Sequence, residues 1–489
     1  MANRLIQSFL MVLPVLLVAG GCSSHPPNHK GQRIYQGSSH KNSETPAPRK
    51  AESVPTVTPS IETSSTPRTT SAASITPGVF PKPTAIETQV AFWRNVYGVW
   101  SRSQVALHDN RFLDVIYEVI QLPGDITEGY TPSQKELVRE RTAYWQSRLR
   151  DLEQKVAAGM PLAPNDQRLV SKISPRGNLK TALQGASDRL RGQRGLRERF
   201  KRGLEISGRY DHRFRDIFRQ AGLPEDLAYL PHVESSFQTQ ARSSAGAVGI
   251  WQFTRAAAER FMSVNMIIDE RLDPIASAHG AARYLSHAYS KLGSWPLAVT
   301  SYNHGVSGML RAKQYFGNDF MRIVYDYDHP QFGFASRNFY AEFLAAREVA
   351  RQPERFFPEG LRYEKPLDWD RVILTQNALV STLSRQYDTD KSQLIALNAA
   401  WTEPAKSERA ALPAGTAVWL PSGTLRQIAY RSQQNRLVAR EREDGKASPN
   451  VKVNYPGNRK TPSTGTPIYS SSRSKNSNYK LVKTRTFAR

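Results

Sequence analysis

Apolar residues are distributed unevenly along the 489-residue chain, and this limits where a folded core can form. Ser24 to about Thr88 is rich in Ser, Thr, Pro and Lys, and a basic segment follows from about Arg426. Segments of this composition bury too little apolar surface to offset the entropy of ordering. The sequence therefore predicts a disordered tether over residues 22–90, a basic disordered tail over residues 426–489, and folded domains only between them.

A short apolar segment precedes the tether. A basic start, an apolar run over residues 5–18 and small residues over 19–21 predict a signal peptide at residues 1–21, too short for a stable membrane span. Cys22, the only cysteine of the chain, follows directly and resembles the lipidated cysteine of a bacterial lipobox. We expect a lipid anchor on Cys22; a discarded signal-peptide cysteine is the alternative. Without a second cysteine, the fold must rest on packing.

The formal net charge of +24 lies largely in the terminal segments. In a cytosolic chain this charge would indicate nucleic-acid binding. Behind a signal peptide, the available polyanions are cell-wall polymers, anionic lipid headgroups and lipopolysaccharide. We therefore expect no nucleic-acid partner. Ser23 after the cysteine resembles the signal for outer-membrane sorting in Gram-negative bacteria, so the predicted location is an outer-membrane lipoprotein facing the periplasm.

Residues 91–203 predict a helical extension. Two apolar stripes recur at helical spacing: Phe92, Val96, Val99 and Trp100, then Phe112, Val115, Ile116 and Val119. Charged stretches without a recognisable motif follow, and a solvated face is the default interpretation of such runs. This zone is predicted to be a helical support that can also dock against acidic polymer.

A glutamate lies on the apolar face of a predicted helix in the middle of the chain. After Pro224, four apolar residues recur at helical spacing: Leu227, Leu230, Val233 and Phe237. Glu234 follows Leu230 by four residues and shares its face, unless Pro231 kinks the helix or shifts its start. Burial disfavours the charged form, so this carboxyl must find a partner or become protonated. On this helix alone, a marginal, solvated or arginine-paired glutamate is the more common outcome.

Three short motifs follow one another in this middle zone. They are Glu234-Ser235, Gly249-Ile-Trp-Gln-Phe253, and Ser301-Tyr-Asn303 at the end of a predicted helix. In this order and spacing they resemble the family 1 lytic transglycosylases, which have a goose-lysozyme-like fold. The resemblance implies a catalytic domain over residues 204–350. It also implies cleavage of the β-1,4 bond between N-acetylmuramic acid and N-acetylglucosamine of peptidoglycan, with 1,6-anhydromuramic ends as products.

The resemblance implies Glu234 as the single catalytic carboxyl, acting first as acid and then as base. Glycosidases of the usual kind need two carboxylates, and this zone offers no obvious partner for Glu234. Glu234 would protonate the departing glycosidic oxygen while the substrate acetamido carbonyl assists at C1. The carboxylate would then take the proton of the muramyl 6-hydroxyl as it closes the ring. Apolar neighbours such as Leu230 and Val233 are expected to raise the pKa of Glu234 enough for the first step.

The resemblance also implies substrate-binding residues. Ser243 and Gln252 match residues that line the saccharide groove, and Tyr302 and Asn303 match a pair near the acetamido group. We expect Asn303 to donate to the acetamido carbonyl and Tyr302 to pack on a sugar ring; a helix C-cap is the alternative for Asn303. The family has a later cleft tyrosine, commonly after Asn. This chain reads Asn-Phe-Tyr340, so Tyr340 is expected to fill that role after a local shift.

Residues 366–423 predict a small α+β module. The run Arg371–Thr375 is β-like, two amphipathic stretches follow at 379–387 and 391–398, and Leu412–Pro421 contains a second strand. This order resembles a LysM glycan-binding module, although the glycine-containing turn before the first helix is missing. We interpret the zone as a degenerate LysM-like domain; a packing domain that has lost glycan binding is the alternative.

The predicted fold class is mostly α: a goose-type lysozyme-like catalytic domain with a helical N-terminal extension, a small LysM-like module and disordered tails. His279, His287 and His304 have no metal-ligand spacing, so no metal or other cofactor is expected. The expected partners are peptidoglycan glycan strands and, through the lipid anchor, the membrane; protein partners are not indicated. Two alternatives stay open: a hydrolytic muramidase on the same fold, with a water opposite Glu234, and a non-catalytic cell-wall-binding lipoprotein.

Overall fold

The computed structural model of the protein describes residues 78–173 and 177–443. The predicted signal peptide, Cys22, most of the predicted tether and residues 444–489 of the predicted tail lie outside the described residues. Within them the fold is mostly helical, as predicted, with two small sheets. None of the helices described is long and apolar enough to cross a membrane.

Folded structure begins before the predicted end of the tether, so the boundary at residue 90 is wrong. A 3₁₀ turn at Thr84–Ile86 leads into α1 (Glu87–Gly98). Ile86 and Val90 are buried, and the ring of Phe80 packs edge-on against Phe343 at 5.0 Å. The apolar side chains of the Phe80–Val90 segment therefore belong to the core, despite the polar composition before them.

The N-terminal region is α/β, which corrects the prediction of a purely helical extension over residues 91–203. Three strands form an antiparallel sheet in the order β2-β1-β3: β1 (Gln104–Asp109), β2 (Ile116–Gln121) and β3 (Leu190–Arg194). The second half of the stripe that ends at Val119 lies in β2, where Tyr117 and Ile120 are buried and Val119 is exposed. A short run of β-branched and aromatic residues fits a strand as well as a helix, and tertiary pairing decides between them.

Three helices pack with this sheet. The longest starts with a capping box, in which the Thr131 hydroxyl accepts from the backbone of Gln134 and the Gln134 side chain accepts from the backbone of Thr131. Leu149 and Leu152 of that helix join Val115 and Leu183 in a core. The three are α2 (Pro132–Ala157), α3 (Pro164–Ile173) and α4 (Leu179–Leu183).

The middle region starts with α5 (Arg197–Ser207) and α6 (Asp211–Gln220). The single helix predicted after Pro224 is divided into a 3₁₀ helix at Glu225–Tyr229 and α7 (Leu230–Glu234). Pro231 lies in the first turn of α7, where its missing N–H breaks no hydrogen bond. The helix therefore ends at Glu234, earlier than the apolar stripe suggests.

A long helix, α13, organises the rest of the middle region. It packs against α1, α7 and α10, so it joins the N-terminal region to the elements that carry the predicted site. The seven helices of this part are α8 (Arg255–Ala258), α9 (Pro274–Leu292), α10 (Trp295–His304), α11 (Val306–Phe316), α12 (Phe320–Asp326), α13 (Phe334–Arg351) and α14 (Pro353–Phe356).

The C-terminal region has the predicted order of strand, two helices and strand. Its elements are β4 (Asp370–Ile373), α15 (Val380–Gln386), α16 (Lys391–Leu397), a short α17 (Glu403–Lys406) and β5 (Ala417–Leu420). Ile268 of the middle region lies in the same core as Trp401, and the Trp419 indole donates to Asp273 at 2.6 Å. The region thus shares a core with the middle region.

The chain continues as α18 (Thr424–Glu443). This helix covers the first part of the predicted basic tail, so the predicted start of disorder at residue 426 is wrong. Its residues carry the Lys/Arg-rich, apolar-poor composition that argued against a core. A polar helix of this kind needs no apolar face to exist, because short-range pairs and good helix formers also support helices.

Candidate active site

Glu234 is the last residue of α7 and is only 3 % exposed. Burial, and secondarily the negative charge of Glu342, raise the pKa of its carboxyl well above the usual value, with no hydrogen bond opposing the effect. A carboxyl in this state is a proton donor near neutral pH. The expected protonation of Glu234 thus has a structural cause, and most of it is burial.

The backbone after Glu234 turns back sharply to hold this helix end in place. Ser236 and Phe237 have φ of 51° and 58°, a region that side-chain-bearing residues rarely adopt. The Ser235 hydroxyl donates to the carbonyl of Ile250 at 2.8 Å. A Cβ on Gly203 of α5 would lie 2.8 Å from the Ser236 carbonyl oxygen, so only glycine fits there. The end of α7 is therefore clamped between α5 and the following loop.

Ser243 and Gln252 both shape that loop. The Ser243 hydroxyl accepts from the backbone of Ala247 at 3.0 Å, and the Gln252 amide donates to the Gly249 carbonyl at 2.8 Å. Gln252 is 2 % exposed and has a φ of 48°. Gly249, with a φ of 80°, lies so close to Arg271 that a Cβ would be 2.0 Å from its carbonyl oxygen. These contacts fix the loop that packs beside the end of α7.

Tyr302 is a structural support of the site, which differs from the expected sugar-stacking role. Its hydroxyl donates to the carbonyl of Trp251 at 2.9 Å. Its ring lies parallel to Phe339 and edge-on to Phe253 and Tyr284, and the residue is 4 % exposed. Because protein covers the ring, Tyr302 positions the loop on α10 and presents no open face to a sugar.

Asn303 is available as a hydrogen-bond donor. The Ser336 hydroxyl of α13 donates to Asn303 Oδ1 at 2.7 Å, which leaves the amide nitrogen to donate. α10 continues to His304 and ends at Gly305, whose φ is 82°. Asn303 is therefore not a helix cap, and the alternative interpretation is wrong.

Tyr340 does not fill the cleft position predicted for it. It is completely buried, its hydroxyl donates to the Pro81 carbonyl at 2.9 Å, and its ring packs edge-on against Phe320. A shift of one residue rotates a side chain by about 100° around a helix. On α13 it is Phe339 that contacts Tyr302, so the residue on the site side carries no hydroxyl.

A second buried carboxyl, missed in the sequence, lies near Glu234. Glu342 of α13 is 4 % exposed, and burial raises its pKa to about 8. Tyr97 of α1 donates to its Oε2 at 3.3 Å, while Oε1 is buried without a partner in the described structure. The sequence feature that could have identified Glu342 is an acid within the otherwise apolar run from Phe339 to Ala346, the same kind of feature that marked Glu234.

The histidines considered as ligands lie in two different places. His279 and His287 line a surface groove beside α6, and His304 packs edge-on against Phe332 at 4.9 Å. Among residues 78–173 and 177–443, no group of three or more His, Cys, Asp or Glu side chains is arranged to hold a metal ion.

The region that holds the buried acid Glu234 at a helix end and the Asn303 amide held by Ser336 is mostly helical. Residues 218–321, which span α7, the loop and α10, match the family model of the transglycosylase SLT domain. The chain therefore contains a domain of this class, and the predicted resemblance to lytic transglycosylases is confirmed.

Individual relatives are similar over limited parts of the chain. Membrane-bound lytic murein transglycosylase F 2 of Alkalilimnicola ehrlichii is 33% identical over 25% of this chain and 27% of that protein. Membrane-bound lytic murein transglycosylase D of Escherichia coli K12 is 31% identical over 19% of this chain and 21% of that protein. A protein of Alteromonas sp. (strain M-1) named for tributyltin chloride resistance is 28% identical over 28% of this chain and 65% of that protein. The chain thus spans less than two thirds of each of these relatives.

Proposed function

We propose that the protein is a peptidoglycan lytic transglycosylase that cleaves the MurNAc-β-1,4-GlcNAc bond and leaves 1,6-anhydromuramic ends. The observation that carries the proposal is Glu234, a buried carboxyl at a helix end with no hydrogen-bond partner in the part of the chain described. The SLT-domain match over residues 218–321 supports the same class of reaction.

In the first step Glu234 donates its proton to the glycosidic oxygen. The raised pKa of Glu234 keeps this proton in place near neutral pH. As the bond to C1 breaks, positive charge develops on the muramyl ring, and the acetamido carbonyl of the same sugar approaches C1. The substrate thus supplies the nucleophile, and a second catalytic carboxyl is unnecessary.

Asn303 orients the acetamido group in this step. Its amide nitrogen donates to the acetamido carbonyl, because Ser336 occupies the Asn303 oxygen and so fixes which end of the amide faces the substrate. In the second step ionised Glu234 takes the proton of the muramyl 6-hydroxyl, whose oxygen attacks C1 and closes the 1,6-anhydro ring. Glu234 then carries a proton again, and the cycle balances without water.

The parts outside the catalytic region give the enzyme its place in the cell envelope. We assign lipidation to Cys22, an outer-membrane location facing the periplasm, and glycan strands as the partner. Ser243 and Gln252 shape the loop that borders the saccharide groove, and Tyr302 supports that loop. Residues 366–423 are assigned as a degenerate LysM-like region that contributes to wall binding.

A hydrolytic muramidase is the second candidate, and Glu342 favours it as the additional carboxyl that such an enzyme needs. Against it, Glu342 Oε1 is buried and its Oε2 accepts from Tyr97, so neither oxygen is open to a water opposite Glu234. A non-catalytic wall-binding lipoprotein would have no use for an unpaired buried acid at this position.

Mass spectrometry of muropeptides released from purified peptidoglycan tests the proposal. The full chain in detergent is compared with Glu234→Gln and with the control Glu225→Gln, an acid nine residues earlier that is ion-paired with Arg219 at the surface. Products lighter by one water than hydrolysed disaccharide-peptides are expected from the wild type and Glu225→Gln and not from Glu234→Gln. Reducing muramic ends would establish the muramidase instead, and identical release by all three chains would remove Glu234 from the mechanism.

A further inference from the structure

Glu342 is a buried acid that the proposed reaction does not use. One of its oxygens accepts from Tyr97 at 3.3 Å, and the other is buried without a partner within the described ranges. An unpaired polar atom in a protein interior is costly, and each instance calls for an explanation. The position of Glu342 relative to the site supplies one.

α13 presents Glu342 on its site side. Ser336 and Phe339, about two turns and one turn earlier, contact Asn303 and Tyr302 of α10, and α7 packs against the same helix. Residues three apart on a helix are neighbours on its surface, so Glu342 continues the row of Phe339. This row brings the Glu342 and Glu234 carboxyl groups close enough to interact electrostatically.

The N-terminal region holds Glu342 in this position. The Tyr97 ring stacks on Phe200 at 5.0 Å, and Phe200 stacks on His232 at 4.9 Å, two residues before Glu234. Burial lowers the pKa of His232 to about 3, so this histidine is neutral and brings no positive charge to Glu234. A continuous stack of three rings therefore joins Tyr97, which donates to Glu342, to α7, which carries Glu234.

Few charged or titratable groups surround the two carboxyls. The Arg191 guanidinium of β3 lies over the Phe334 ring at 4.1 Å and attracts Glu342 without a hydrogen bond to it. Tyr97 from α1 and Arg191 from β3 act on Glu342, and Glu234 in turn raises the pKa of Tyr284 of α9 and Tyr302 of α10. Apart from Arg191, none of these groups carries a charge at neutral pH, so after burial the charge of Glu342 is the main influence on the pKa of Glu234.

We propose that Glu342 is a positioning residue that, held by Tyr97 of the N-terminal region, keeps the proton on Glu234 when the pH rises above neutral. The proposal rests on the proposed function above. Glu342 has the donor and the cation that favour its ionised form, whereas Glu234 has neither. The pair therefore loses its first proton from Glu342, and the resulting negative charge makes it harder to remove the second from Glu234.

The pH dependence of kcat/KM on purified peptidoglycan tests this, with the full chain in detergent. In the wild type, activity falls at high pH when Glu234 loses its proton. Glu342→Gln removes the neighbouring charge and keeps the side-chain size, so we expect the alkaline limb to move to lower pH by about one unit, with kcat at the optimum changed less than about threefold. The control is Glu348→Gln, on the same helix but ion-paired with Lys82 and Arg94, which leaves the limb in place.

Tyr97→Phe provides a second variant that keeps the ring stack. Loss of its hydroxyl disfavours ionised Glu342, so the limb shifts in the same direction by less. The proposal is overturned if the alkaline limb is unshifted in both variants, or if activity falls by the same factor at every pH. If Glu342→Gln does not fold, the result for Tyr97→Phe decides. Glu234→Gln in the same series separates the two hypotheses, because full activity there overturns the proposed function, whereas an unshifted limb with Glu234 essential overturns only the role of Glu342.

Discussion

Buried acids are treated differently in the N-terminal and middle regions. Asp109, at the end of β1, is 2 % exposed, and its carboxylate accepts from Arg189 at 2.9 Å and from the backbone of Arg111 at 2.8 Å. Asp166, also 2 % exposed, pairs with Arg148 at 2.9 Å and Lys155 at 3.1 Å. Glu234 in the middle region has burial of the same degree, but no such partner among the residues that the structure describes.

This contrast distinguishes structural acids from the acid proposed to be catalytic. An isolated carboxylate is expensive to bury, and the chain has ample arginine to neutralise it, as Asp109 and Asp166 demonstrate. A cation beside Glu234 would stabilise its ionised form and remove the proton that the first step requires. The middle region therefore keeps an arrangement that lowers stability and favours acid catalysis, a trade-off common at active sites.

The largest expected effect comes from Glu234→Gln. Activity on peptidoglycan should fall by about 10³-fold because the proton donor is lost. The free energy of unfolding of the variant, by contrast, should rise at neutral pH. Wild-type Glu234 stays protonated when folded and ionises when unfolded above pH ~4.3, so the wild type loses stability as pH rises through that value. Urea denaturation should show the variant more stable at pH 7.5 and equal to the wild type at about pH 3.5. Equal stability at both pH values would mean that Glu234 is solvated or paired.

In the N-terminal region, replacing a buried acid should lower stability and leave activity unchanged. Asp109→Asn leaves Arg189 in a largely buried site without its counter-charge, and the free energy of unfolding should fall by about 3 kcal/mol. Activity per folded molecule should be unchanged. Asp151→Asn is the control, because its pair with Lys155 is exposed and its loss should change stability by less than about 0.5 kcal/mol. A small effect at Asp109 would weaken the distinction between the two regions.

The hydroxyl of Ser336 on α13 extends the comparison to an uncharged group. Ser336→Ala removes the hydrogen bond that fixes the Asn303 amide, so kcat/KM should fall by about 10-fold, the equivalent of a lost hydrogen bond of about 1.4 kcal/mol. Thermal unfolding of the variant should stay close to the wild type. Ser290→Ala, at an exposed position of α9, is the control. Unchanged kcat/KM in Ser336→Ala would exclude Asn303 as a donor whose orientation matters.

The smallest effect is expected for Tyr340→Phe. The hydroxyl bonds only the Pro81 carbonyl, so its loss should lower the free energy of unfolding by about 1 kcal/mol and leave kcat unchanged. Chemical denaturation and peptidoglycan digestion on the same preparation measure both. A tenfold loss of kcat would return Tyr340 to the substrate cleft and contradict its position on α13.

The parts of the site that could be predicted are local in sequence. Glu234, the Gly249–Phe253 loop and the Ser301–Asn303 motif each lie within a few residues, so their order and spacing carried the family resemblance that pointed to them. Tyr340 was assigned wrongly because its direction depends on the rotation of α13, which no local pattern specifies. Glu342 was missed because its meaning depends on Tyr97, 245 residues away.

The N-terminal region illustrates the same limit for the fold. β1 pairs with β3 across the whole length of α2, α3 and α4, so the third strand joins the sheet only through long-range hydrogen bonds. The apolar stripe at 112–119 fits the spacing of a helix as well as that of a strand, and pairing of β1 with β2 selects the strand. By contrast, the strand and helix order over residues 366–423 follows local patterns and was predicted, whereas the contact of Trp419 with Asp273 was not.

That contact has a consequence for how such a protein can evolve. Asp273 caps α9 with one carboxylate oxygen and binds the Trp419 indole with the other, and Ile268 completes the core of the C-terminal region. Gene fusion and exchange act most easily on units joined by a linker, each with a complete interior. Here a cut between the two regions would leave an unpaired carboxylate oxygen on one side and an open core on the other. A replacement for residues 366–423 would therefore have to reproduce both contacts at once.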